Sequence, residues 1–236
     1  MIRDPAQVTS AVFFDVDFTL IYPGPTFEAV GYQRFCTAHG IEIDPTRYGA
    51  AVRHASALLD REPAHVYDDA IFVRFIRRVI EAMGGTGDRL NACASEMWAE
   101  WAACHHFRLY EDVQPALSTL SNAGLKIGLI SNSHRCLASF QQHFELDGLI
   151  DGAVSSSAHG YLKPHASIFE AALKLLDVPP AESVMVGDSL AHDVRGALAV
   201  GMRGVLVNRS TDPAPDAGVP VIRSLMELPP LLFRAA

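Results

Sequence analysis

The sequence predicts an α/β fold, a doubly wound parallel sheet with a helical segment inserted into it. Three observations carry this. Short continuous apolar runs rich in β-branched residues recur along the chain, helical patterns separate the later runs, and residues 26 to 108 hold no convincing strand. Continuous rather than alternating apolarity marks strands covered on both faces, as in a parallel sheet flanked by helices. Strand and helix in alternation build the doubly wound arrangement.

The strand candidates are AVFF (11–14), KIGLIS (126–131), DGAVSS (151–156), SVMVGD (183–188) and RGVLVN (203–208). Helices are expected over DVQPALSTLSNAG, with Pro115 in its first turn and Gly124 at a C-cap position, and over HASIFEAALKLLDV and LAHDVRGALAVG. Four more are expected at roughly 26–39, 44–59, 65–83 and 87–105, broken at Gly40, Asp44-Pro45, Glu62-Pro63 and GGTG (84–87). In the third, Phe72, Ile76, Val79, Ile80 and Met83 form an apolar stripe opposite Arg74, Arg77, Arg78 and Glu81. The division that follows is residues 1–22 with 109–236, and an inserted helical unit over 23–108. The segment IYPGPTF (21–27) between them is expected to form a tight hairpin and hinge.

Composition narrows the function classes. A chain of 236 residues, 49% hydrophobic, can bury a sizeable core. Its formal charge of −8 argues against sequence-independent nucleic-acid binding, which needs clustered Lys and Arg. No stretch approaches the roughly 18 apolar residues of a membrane span, and MIRDPAQVTS lacks a signal-type apolar run. Cys36, Cys93, Cys104 and Cys136 are scattered without a CxxC pair, as reduced thiols are. A cytoplasmic protein with neither nucleic-acid nor membrane partner is expected.

In open parallel sheets, ligands bind beyond the carboxyl ends of the strands. The first apolar run ends in Asp15 and Asp17, the second in Ser131 and Asn132, and the fourth in Gly187 and Asp188, with Asp193 five residues on. Lys163, one of three lysines in the chain, precedes Pro164 between the third and fourth runs. Residues two apart on an extended strand point to the same side, so Asp15 and Asp17 share one space. Adding Asp188 crowds three carboxylates, a conflict that a hard divalent ion held by oxygens resolves, most naturally Mg²⁺. A carboxylate nucleophile, a metal, a lysine and the Ser131 hydroxyl together suit phosphoryl transfer. One acid attacks while its neighbour handles the proton.

These features resemble the haloacid dehalogenase superfamily, through four motifs in order: DVDFTL with Asp15, Asp17 and Thr19; LISNS with Ser131; YLKPHASIF with Lys163; and VGDSLAHD with Asp188 and Asp193. The resemblance covers nearly the whole chain, because one large branch inserts a helical cap after the first strand of its Rossmann-like core. It implies Asp15 as nucleophile and metal ligand. Asp17 is implied as general acid and base, lending its backbone carbonyl to the metal, and Asp188 as a further Mg²⁺ ligand. Ser131 and Lys163 would bind the phosphoryl group, Asn132 and Phe18 are expected to bind substrate with them, Asp193 would support the metal site, and Thr19 would help position Asp17. Many members carry Gly, Asn or Asp after the second aspartate, where Phe18 stands here; a bulky ring there bears on substrate choice.

The superfamily hosts several reactions, and three features prune them. Dehalogenases usually lack the second aspartate, which is present as Asp17. Phosphonate hydrolases of the family use a cap lysine, and residues 26–108 contain none. No sugar-binding signature of a phosphomutase is evident. The expectation is a Mg²⁺-dependent phosphatase acting on a small phosphate monoester, with a haloacid dehalogenase or a non-catalytic binding protein as alternatives. Tyr22, Phe27 and His105 are candidates for the rim beside Phe18. The cluster of Cys104, His105 and His106 with Cys93 matches no zinc-ligand spacing and is expected to be packing.

Overall fold

The computed structural model describes residues 8–59, 65–209 and 216–233. The helix break expected at Glu62-Pro63 lies outside these residues. The chain divides into two compact units, 1–22 with 109–236 and 23–108. It opens with β1 (Ala11–Phe14) and β2 (Ile21–Pro23) and enters the helical unit, made of α1 (Ala29–Ala38), α2 (Tyr48–Leu59), α3 (Asp69–Ala82) and α4 (Leu90–Trp101). It leaves through β3 (Phe107–Leu109). Then follow α5 (Val113–Asn122), β4 (Lys126–Ser131), α6 (Leu137–His143), β5 (Gly152–Ser155), α7 (Ser156–His159) and α8 (Ala166–Leu176). The last elements are β6 (Ser183–Gly187), α9 (Arg195–Ala199), β7 (Arg203–Val207), β8 (Val221–Ile222) and α10 (Leu228–Leu232).

The six-stranded sheet has the order β5-β4-β1-β6-β7-β8, and its pairings are parallel. The expected doubly wound class is therefore correct. From β1 the chain builds outward on one side through β4 and β5, then returns to build the other side. That reversal beside β1 is the switch point where such sheets open a crevice. Phe14 pairs with Leu129 on one side and Val186 on the other, so β1, β4 and β6 end at nearly the same level. Residues 15, 131 and 188 consequently emerge together from neighbouring strands. The strands are legible as strands because both faces are covered: Val12, Phe13, Phe14, Leu129, Ile130, Met185 and Val186 are all buried. Each such side chain contributes about 1.5–3 kcal/mol of burial.

The helical unit is held by apolar stripes. Ile76, Val79, Ile80 and Met83 pack with Cys36, Ala55, Cys93, Met97 and Trp98, while Phe72 stacks on Trp98 at 4.2 Å between centroids. The Asp68 side chain caps α3 by accepting from the Ala70 N–H at 2.9 Å. On its outer face Arg77 and Arg78 both reach Glu81, as an amphipathic helix requires.

The sequence-based picture needs one change at IYPGPTF. These residues do not fold back on themselves. β2 pairs with the distant β3, and Pro25–Phe27 forms a 3₁₀ turn favoured by proline at its start. The tight turn lies earlier, where Phe18 N–H donates to the Ile21 carbonyl at 2.6 Å. Among the described residues no helix is long and apolar enough to cross a membrane.

Candidate active site

Asp15 directly follows β1 and is pinned by its N–H, which donates to the Val186 carbonyl of β6 at 2.9 Å. Its side chain is buried and meets the Lys163 ammonium at 2.6 Å. Lys163 precedes α8, and its nitrogen also lies 2.6 Å from Asp193 and donates to the Ile130 carbonyl at 2.8 Å. At 2% exposure this lysine keeps its charge because two carboxylates surround it. Burial alone works against the charge, but Asp15 and Asp193 outweigh it and hold the ammonium above its ordinary range. For Asp15 the balance runs the other way. Burial pushes its carboxyl up to about 6, with Lys163 pulling down and Asp193 adding to the rise.

Asp193 comes to this cluster from the π-helical turn Leu190–Val194 that precedes α9. One carboxylate oxygen accepts from the Ser189 N–H at 2.9 Å, tying it to the end of β6. Only glycine fits at position 187, since a Cβ there would lie 2.3 Å from that carboxylate. Carboxylate oxygens of Asp15, Asp188 and Asp193 lie within 4.8 Å of one another. Asp188 forms the open, solvent-exposed edge of the trio. An all-oxygen donor set of this density fits a hard divalent cation.

Asp17 stands apart from the trio. Its carboxylate is 17% exposed and is engaged by Arg135, whose Nη1 lies 3.0 and 3.2 Å from its two oxygens. Burial raises the Asp17 carboxyl above its ordinary range, with Arg135 pulling it down and Asp15 pushing it further up. Phe18 follows with φ of 65°, a left-handed conformation that is strained for a bulky residue, and the residue is 44% exposed. Thr19 is fully buried, and its carbonyl accepts from Arg209, whose guanidinium also forks onto Asp112 and lies over the Tyr110 ring. Asp112 accepts further bonds from Ser224 and the Leu225 N–H. These bonds outweigh burial and hold its carboxyl below the ordinary range. Arg209 thus joins the loop after β1 to the C-terminal segment.

Ser131 ends β4 fully buried, with its hydroxyl 2.9 Å from that of Ser133. Asn132, expected to bind substrate, also holds Lys163. Its side-chain NH₂ donates to the Lys163 carbonyl at 3.0 Å and its oxygen accepts from the Lys163 N–H at 2.7 Å, so both ends of the amide hold the lysine's backbone. Of the rim candidates, Tyr22 packs on Tyr110 at 4.7 Å. Phe27 is buried among Trp101, His106 and Phe107 in the helical unit, which removes it from any rim. His105 is exposed and forms a group with Glu100 and His106. Arg135, Ser133, Asp112 and Arg209 were not anticipated. The signal for Arg135 was a cation four residues after Ser131, at the mouth of a central strand.

A family model for haloacid dehalogenase-like hydrolases matches residues 9–201. Among curated proteins, haloacid dehalogenase-like hydrolase domain-containing protein 3 of Xenopus laevis is 32% identical over 148 residues, 61% of each chain. The N-acylneuraminate-9-phosphatase of Homo sapiens is 28% identical over 241 residues, covering 94% of this chain and 93% of its own. Among solved structures, a HAD phosphatase from Thermococcus onnurineus is 27% identical and superposes with a TM-score of 0.66, covering 95% of this chain and 98% of its own.

Proposed function

The chain belongs to the haloacid dehalogenase-like hydrolase family, and on that premise we propose that it is a Mg²⁺-dependent phosphatase that cleaves a small-molecule phosphate monoester through an aspartyl-phosphate on Asp15. The carrying observation is the Asp15 carboxylate, buried at the sheet's switch point, bound to Lys163 and grouped with Asp188 and Asp193. Relatives named as phosphatases support the choice of phosphate ester. The charges support the metal. Three carboxylates grouped within 4.8 Å (Asp15, Asp188, Asp193) against the Lys163 ammonium leave a formal −2, which one divalent ion cancels. Residues 1–22 with 109–236 then serve as the core domain and 23–108 as the cap domain. Thiols outside any disulfide support a cytosolic setting.

In the reaction, a carboxylate oxygen of Asp15 attacks phosphorus, the bond from phosphorus to the ester oxygen breaks, and Asp17 gives its proton to the departing alkoxide. Asp17, now ionised, takes a proton from water as that water attacks the same phosphorus. Inorganic phosphate leaves, Asp15 is regenerated and Asp17 is again protonated. Lys163 orients the nucleophile and, with the Ser131 hydroxyl, holds the phosphoryl oxygens. Asp15 and Asp188, with the Asp17 carbonyl, would hold Mg²⁺ and Asp193 would support it; the bound ion supplies charge neutralisation at the phosphoryl group.

The test is phosphate release from a panel of monoesters with and without Mg²⁺, for the wild type and Asp15→Asn, with 2-chloropropionate in parallel. Metal-dependent release that falls by roughly 10³-fold or more in the variant is the expected result. Chloride release without phosphate release would replace the phosphatase by a dehalogenase.

A further inference from the structure

Arg135 is the largest charged side chain in the core and sits where no motif requires it. It lies in the short connection between β4 and α6, and its side chain is 0% exposed. Arginine is almost never buried to this degree unless paired. Its partner is Asp17, 118 positions away in sequence and on the neighbouring strand's loop, with a single guanidinium nitrogen within 3.2 Å of both carboxylate oxygens. Stability is a weak reason for such a pair, because well-packed apolar residues of similar volume usually do as well or better.

The two partners differ in access, and that difference points to a role. Arg135 has no exposed surface, whereas Asp17 keeps part of its carboxylate open. A group that must give a proton to a leaving oxygen, and later take one from water, needs one open side and a fixed orientation. A lone carboxylate on a loop swings freely about two side-chain torsions. Proton transfer in the transition state works only within hydrogen-bond reach of the accepting atom, so orientation is worth rate. Arg135 grips the carboxylate from the closed side and leaves the open side to the reactants. Because Arg135 follows Ser131 by four residues, the same connection that presents the Ser131 hydroxyl also sets Asp17.

We propose that Arg135 is the positioning residue of the acid/base step, fixing the Asp17 carboxylate toward the leaving group and then toward water. The inference rests on the phosphatase reading above, and it makes the reaction's leaving-group chemistry depend on a residue outside the four motifs. A poor alkoxide leaving group needs the proton from Asp17, while p-nitrophenolate does not. Loosening Asp17 therefore slows alkyl esters at the first step. With p-nitrophenyl phosphate it spares that step and slows attack by water, so the aspartyl-phosphate accumulates.

The experiment compares wild type, Arg135→Met, Arg135→Lys, Asp17→Asn and the Asp17→Asn/Arg135→Met double variant. Each is assayed with an alkyl phosphate and with p-nitrophenyl phosphate, including a rapid-mixing trace of nitrophenolate. Arg135→Lys keeps the buried charge and guards against a loss that is only misfolding. The expected result is roughly a 10- to 100-fold fall in kcat on the alkyl ester for both Arg135 variants. Loss of nitrophenyl phosphate turnover should be smaller, with a new burst close to one equivalent per enzyme. In the Asp17→Asn background, Arg135→Met should add nothing further. Equal losses on both esters without a burst, or additive losses in the double variant, overturn the proposal and leave Arg135 a packing residue. A wild type with no turnover of either ester overturns the phosphatase reading, and this inference with it.

Discussion

The two units solve the same folding problem with opposite attitudes to charge. In the helical unit, no charged side chain is buried among the described residues, and its core is apolar side chains with Cys36 and Cys93. In the sheet unit, Asp15, Arg135, Lys163 and Asp193 are all buried, and all lie in the segments that follow the carboxyl ends of β1, β4, β5 and β6. Burying charge is expensive unless it is paired, so its concentration at the sheet's switch point supports the proposed site without reference to any motif. The core of the helical unit reads as packing alone.

That contrast is breakable. Lys163→Met removes the one ammonium between Asp15 and Asp193 and should cost roughly 3–5 kcal/mol in urea unfolding, with turnover lost as well. A stable, active Lys163→Met would mean that the buried charges are not interdependent. Ile80→Ala in α3 removes a fully buried apolar side chain and should cost about 2–4 kcal/mol, yet leave kcat per folded molecule within a few-fold of wild type. A collapse of kcat in folded Ile80→Ala would erase the distinction between the units.

A gentler probe uses protons. Asp15 has a folded value of about 6 against 3.8 ordinarily, so the metal-free native state holds that proton where the unfolded chain has lost it. By linkage, this group's contribution to stability is full below 3.8 and is lost as pH rises through about 6. A divalent cation competes with the proton for the same oxygens. The gain in melting temperature on adding Mg²⁺ should therefore be larger above pH 6 than below pH 4, and equal gains on both sides would remove Asp15 from the metal's ligands.

Which parts were legible in the sequence follows the same physics. β1, β4 and β6 stood out because strands covered on both faces must be continuously apolar, and α3 because its stripe recurs at helical spacing. The two-residue β8 carries too little pattern to be seen. The course of IYPGPTF was misread because its partner strand is 86 residues downstream at Phe107, counted from Ile21, and pairing at that distance leaves no local trace. At the site, Asp15, Ser131 and Asp188 stood out because each ends or follows an apolar run, and Lys163 because the chain has three lysines and this one precedes Pro164 between two runs. Arg135 left only the faint signal of a cation four residues after Ser131, since its burial depends on Asp17, and the use of Asn132 on the Lys163 backbone left none.

The most direct test of the nucleophile is to quench turnover with acid and find the phosphoryl group by mass spectrometry of the peptides. The expected finding is phosphate on the peptide carrying Asp15 during turnover, lost again as substrate is exhausted and absent in Asp15→Asn. Phosphate on a different residue, or undiminished phosphate release by Asp15→Asn, would contradict it.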